Sequence, residues 1–72
     1  MKLERLKNLR EDADMSQESL SKILGILQRT LSHYESGERN IPIEILIKIA
    51  DHFNCSVDYI LGRTDSKMIN KL

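Results

Sequence analysis

Residues 17–36, QESLSKILGILQRTLSHYES, decide how the rest of the chain is read. Ser16 stands just before them, and its hydroxyl can accept the free amides of a first helical turn at Gln17-Glu18-Ser19. Leu20, Ile23 and Leu24 then form an apolar stripe, and Gly25 supplies the permissive backbone that ends the helix. A second short helix fits residues 28–35, stopped by Ser36-Gly37. At about 100° per residue, Leu27, Thr30, Leu31 and Tyr34 fall on one arc of it. Gln28, Arg29, Ser32 and His33 fall on the opposite arc. A purely solvated face would more often show Lys and Glu at i, i+4, whereas this arc has no acid until Glu35. On an arbitrary short helix such an arc is most often plain surface. Directly after a tight Gly turn it reads instead as a binding face.

Outward from this stretch the chain stays helical. Leu3, Leu6 and Leu9 recur at helical spacing and predict a first helix over about residues 2–13. Pro42 suits a helix's first turn and opens a fourth helix that runs to about Phe53. Ser56 caps a last short helix through Leu61, closed by Gly62. No segment alternates apolar and polar residues as a half-buried strand does. The expectation is an all-α, compact domain of five helices over residues 1–62, followed by a tail, 63–72. The tail reads equally as a frayed terminus or as a short appended helix aiding dimerisation, with Met68, Ile69 and Leu72 as its apolar side.

Composition limits what such a domain can be. With 72 residues, it lies near the lower size at which one apolar core sustains a fold. Apolar residues at 40% and charged residues at 31% are ordinary globular values. A single cysteine, Cys55, excludes an intramolecular disulfide framework and is read as a buried, inert thiol. His33 and His52 show no ligand spacing, so no metal or other cofactor is expected. No apolar run approaches the roughly 18 to 20 residues of a membrane span, and the N-terminus lacks a signal peptide's apolar centre. A reduced, cytoplasmic protein is expected. Eleven basic residues balance eleven acidic ones, which by itself argues weakly against nucleic acid. The charges are segregated, however. Lys2, Arg5, Lys7 and Arg10 face only Glu4 in the first ten residues, and the next ten hold Glu11, Asp12, Asp14 and Glu18 with no base.

Two short helices joined by a tight turn make the helix-turn-helix pattern, whose second helix enters the major groove of DNA. Gln, Arg, Ser and His carry the donors and acceptors that can address base edges there. Residues 3 to about 62 also resemble the phage-repressor (Xre-like, Cro-like) helix-turn-helix family of transcription regulators. The matching pieces are Leu9-Arg10, Ser16-Gln17-Glu18-Ser19-Leu20, Leu24-Gly25, Leu31-Ser32-His33-Tyr34-Glu35-Ser36-Gly37, Leu46-Ile47-Lys48-Ile49-Ala50 and Phe53 through Gly62. The resemblance implies a five-helix domain that binds double-stranded operator DNA as a homodimer. It assigns base contacts to Gln28, Arg29, Ser32 and His33. It assigns phosphate contacts to Gln17 and to the segment after the third helix, with Ser36, Arg39 and Asn40. It also implies an ion pair between Arg10 and Glu35, shielded from water.

Two positions depart from the family pattern. Leu27 stands where a capping Ser, Thr or Asp is usual, at a cost of about 0.5 to 2 kcal/mol, part of which it is expected to regain by packing inward. Ser21 replaces the usual Ala, and its hydroxyl needs a partner. On the fourth helix, Ile43, Leu46, Ile47, Ala50 and Phe53 read as the core stripe. Ile45 and Ile49, at its edge, then become candidates for a dimer interface together with Tyr59 and Met68.

The function expected is a dimeric, sequence-specific regulator, acting as a repressor by occupying its operator. The alternative is a protein-interaction module or antitoxin that keeps the fold and binds mainly a partner protein. No small-molecule ligand is evident, and neither a nucleophile–base pairing nor a phosphate-cradling Gly loop suggests an enzyme.

Overall fold

The computed structural model describes residues 3–66. They form five helices: α1 (Glu4–Asp12), α2 (Gln17–Leu24), α3 (Gln28–Ser36), α4 (Ile43–Phe53) and α5 (Val57–Ile60). No strand occurs among the described residues. The helix starts and stops follow local chemistry. The hydroxyls of Ser16 and Ser56 accept the N–H groups of Ser19 and Tyr59, each at 3.0 Å. Gly25 and Gly37 end α2 and α3 with φ of +72° and +85°. A Cβ at Gly25 would meet nothing within 4 Å, so the left-handed backbone alone calls for glycine there. Pro42, expected inside the first turn of α4, sits one place earlier as its cap, with an extended ψ of 150°.

All five helices contribute to one core, in which Leu6, Leu20, Leu24, Leu31, Ile49 and Ile60 are fully buried. Cys55 is buried among them, while His52 is exposed with its ring edge against Phe53. The Ser21 hydroxyl, buried with α2, donates to the Glu18 carbonyl at 2.8 Å.

Helix α4 is rotated relative to its sequence reading. Leu46, Ile49 and Ala50 face inward, Ile45 and Phe53 are half-buried against the core, and Ile43 and Ile47 are exposed at 56% and 47%. The buried arc thus lies roughly 60° from the one expected. Four isoleucines on one short helix leave its inward face ambiguous, and the burial of Leu46, Ile49 and Ala50, in a helix that contacts α2 and α5, settles it. Ile49 is therefore core and is withdrawn as an interface candidate. Ile23 is corrected in the same way: Leu20, Ser21 and Leu24 point inward, and Ile23 is 52% exposed.

The chain beyond α5 folds back onto α1. Arg5 lies over the Tyr59 ring at 4.4 Å and donates to the carbonyls of Tyr59 and Thr64 and to the Asp65 carboxylate. Arg63 N–H also donates to the Asp58 carbonyl at 2.9 Å. Residues 63–65 are thus tethered to α1 and α5 by hydrogen bonds, although Arg63 and Asp65 remain exposed. Met68 and the proposed tail helix lie outside the described residues. Arg5→Ala is expected to lower stability by about 1 kcal/mol, the scale of one cation–π contact, because the ion pair with the fully exposed Asp65 is screened by solvent. Denaturant titration would measure it, and amide exchange at residues 63–66 should speed up in parallel.

Candidate nucleic-acid interface

Helix α3 is held by its inner side. Leu31, Tyr34 and Glu35 are buried, and Thr30 is half-buried. Glu35 takes part in a network joining three helices. Arg10 Nε donates to Glu35 Oε2 at 2.9 Å, and Arg10 Nη2 donates to Glu35 Oε1 at 3.2 Å. Arg10 Nη1 donates to the Met15 carbonyl at 2.8 Å, which fixes the loop between α1 and α2. Gln17 Nε2 donates to Glu35 Oε1 at 3.2 Å, bringing in the start of α2. The Arg10 and Glu35 side chains are 10% and 5% exposed. At this depth a two-pronged guanidinium–carboxylate pair fixes orientation as well as adding energy. The Glu35 carbonyl also accepts the Leu3 N–H at 3.3 Å, tying the N-terminal end of α1 to the same helix.

The outer side of α3 gathers the polar residues singled out in the sequence. Gln28 and Arg29 are exposed, Ser32 and His33 are half-buried, and all four line one shallow depression together with Gln17. Gln17, expected to contact phosphate, also links the depression to Glu35. His33 has a neighbour that the sequence reading missed: its Nε2 lies 3.5 Å from Glu38 Oε2 in the loop after α3. Ser36, Arg39 and Asn40 are exposed in that loop region and do not line the depression. The turn itself is ordered by its backbone. The His33 carbonyl accepts Arg39 N–H and the Ser36 hydroxyl, both at 3.2 Å, and the Ser36 hydroxyl accepts Glu38 N–H at 3.4 Å.

Leu27 does not pack inward. It caps α3 without a side-chain hydrogen bond and is 63% exposed. Of the interface candidates, Ile45 is half-buried, and Tyr59 is half-buried beneath Arg5. The described residues contain no cluster of His, Cys, Asp and Glu able to hold a metal ion. They also contain no helix long and apolar enough to cross a membrane.

A buried, cross-braced helix presenting Gln, Arg, Ser and His outward after a Gly turn has counterparts among known proteins. A family model described as Helix-turn-helix matches residues 6–60. The chain is 39% identical over 67 residues, 93% of its length, to the HTH-type transcriptional regulator AnsR of Bacillus subtilis (strain 168), covering 58% of that protein. It is 38% identical over 60 residues, 83% of its length, to the cryptic phage CTXphi transcriptional repressor RstR of Vibrio cholerae, covering 54% of it. It is also 35% identical over 65 residues, 90% of its length, to the antitoxin PezA of Streptococcus pneumoniae, covering 40% of it. The chain thus spans about half the length of the curated relatives it matches. With the matched residues running from α1 through α5, the chain belongs to the phage-repressor-like (Xre-like) helix-turn-helix family.

Proposed function

We propose that this chain is a sequence-specific, double-stranded-DNA-binding regulator that acts in the cytoplasm as a dimeric repressor, excluding polymerase by occupying an operator. The observation that carries the reading is the single depression lined by Gln17, Gln28, Arg29, Ser32 and His33 on a helix whose opposite side is buried. Gln28, Arg29, Ser32 and His33 address base edges. Gln17, Ser36, Arg39 and Asn40 address phosphates, where contacts set position but carry no sequence. The names of AnsR and RstR, a regulator and a repressor, support the same reading. The function is non-enzymatic.

The test is selection of bound sequences from random duplex DNA, followed by a salt titration. A roughly palindromic site is expected, with half-sites about 34 Å apart, because two α3 helices related by a two-fold axis enter successive major grooves. Affinity should fall steeply with salt as phosphate contacts release counterions. Sedimentation should show a dimer on the operator. A monomer at high micromolar concentration, with or without that DNA, would refute the two-fold arrangement.

A second reading, binding of a partner protein as an antitoxin does, is favoured by the exposed Ile43 and Ile47 and by the likeness to PezA. Selection of no sequence, with affinity for duplex DNA insensitive to salt, would point to it.

A further inference from the structure

We propose that Leu27 is a specificity-determining residue that recognises the C5-methyl group of a thymine in each half-site, an inference that rests on the DNA-binding reading above. The position is costly to the fold and gives little back. Leu27 is the cap residue of α3, and its side chain has no oxygen to accept an amide of the first turn. Nor does it fill the core. At 63% exposure it stands further into solvent than the other exposed large apolar side chains, Ile23, Ile43 and Ile47, among the described residues. Its backbone is nevertheless firmly placed, with an extended ψ of 147° and a carbonyl that accepts the Leu31 N–H at 3.1 Å. An apolar side chain is therefore displayed from fixed backbone, immediately before the exposed Gln28 and Arg29.

The partner follows from the chemistry of the groove. Its floor is a row of donors and acceptors interrupted by one apolar group, the thymine methyl. Gln28 and Arg29 can satisfy the polar atoms, and the Leu27 isobutyl group suits the methyl. Contact between the two removes apolar surface of both from water, which stabilises the complex. It also discriminates thymine from cytosine at a position where no hydrogen bond is made.

The experiment uses the duplex selected from random DNA, with each thymine replaced in turn by deoxyuridine, which differs only by that methyl. Wild-type protein is expected to bind about fourfold more weakly when one particular thymine per half-site is replaced, the worth of one buried methyl group. Leu27→Ser should be indifferent to that same replacement, and it should bind the unmodified operator more weakly. With the cap restored it should also melt higher, a combination that separates recognition from damage to the fold. Equal binding of wild type to every deoxyuridine duplex, while Arg29→Ala still relaxes base choice, would overturn the thymine contact and leave the DNA reading standing. Failure to select any sequence would overturn both. A change in sedimentation of Leu27→Ser without a change in thymine dependence would assign Leu27 to a protein contact instead.

Discussion

Arg10→Met is expected to destabilise the domain by about 3 to 5 kcal/mol, because it leaves a buried carboxylate without its counter-charge. The Glu35 side chain is only 5% exposed, so water cannot take over the role of the guanidinium. Gln17 can still donate to Glu35, but an amide carries no compensating charge. The Met15 carbonyl loses its donor as well, which loosens the loop between α1 and α2. In a domain of this size such a loss corresponds to a fall in Tm of more than about 12 °C, measurable by calorimetry. Replacing Glu35 by methionine in the same variant should restore much of it, since a buried ion pair exchanged for apolar groups of similar volume is often neutral. An unchanged Tm in Arg10→Met would show that the pair contributes nothing to stability.

Arg29→Ala and Arg39→Ala are expected to weaken DNA binding in different ways. Arg29 projects from the first turn of α3, the end proposed to enter the groove, and a guanidinium can donate two parallel bonds to O6 and N7 of guanine. Its loss should cost about 1 to 3 kcal/mol on the selected operator and relax choice at one base position per half-site. Arg39 lies in the exposed turn after α3, outside the depression. Its loss should weaken binding to all sequences alike and flatten the salt dependence by about one counterion per subunit. Titrations against single-base operator variants at two salt concentrations distinguish the profiles. Identical profiles would refute the division between base-reading and phosphate-gripping residues.

The number, order and ends of the helices were legible because they depend on local signals. Ser16 and Ser56 cap, Gly25 and Gly37 terminate, and none of these needs a distant partner. The polar arc of α3 was legible for a related reason: its inner side is marked by Leu31 and Tyr34, so its outer side follows from helical geometry. Helix α4 lacked such a marker. Its isoleucines are chemically alike, and only packing from α2 and α5 distinguishes Ile49 inside from Ile47 outside. The contacts of Arg5 with Tyr59, Thr64 and Asp65 span 54 to 60 residues, a separation at which no local pattern reports proximity. The neighbourhood of Glu38 and His33 is not legible in the sequence, because Glu38 lies in the loop, where helical spacing no longer orders the side chains. Helical periodicity does not place Leu27, because the backbone of this cap residue is extended.

The charges beside α3 bear on how such a protein would find its site in a chromosome. Lys22 is engaged by Glu18 at 3.3 Å, and His33 has Glu38 beside it, whereas Arg29 and Arg39 make no ion pair among the described residues. The chain as a whole carries no net charge. Beside α3, Arg29 and Arg39 are thus the cations left to hold phosphates irrespective of sequence, and such contacts are the source of nearly all non-specific affinity. Bulk DNA offers about 10⁶ to 10⁹ competing sites, and a weak hold on each leaves a larger share of the molecules in solution. For the proposed repressor, occupancy of the operator would then respond to small changes in protein number.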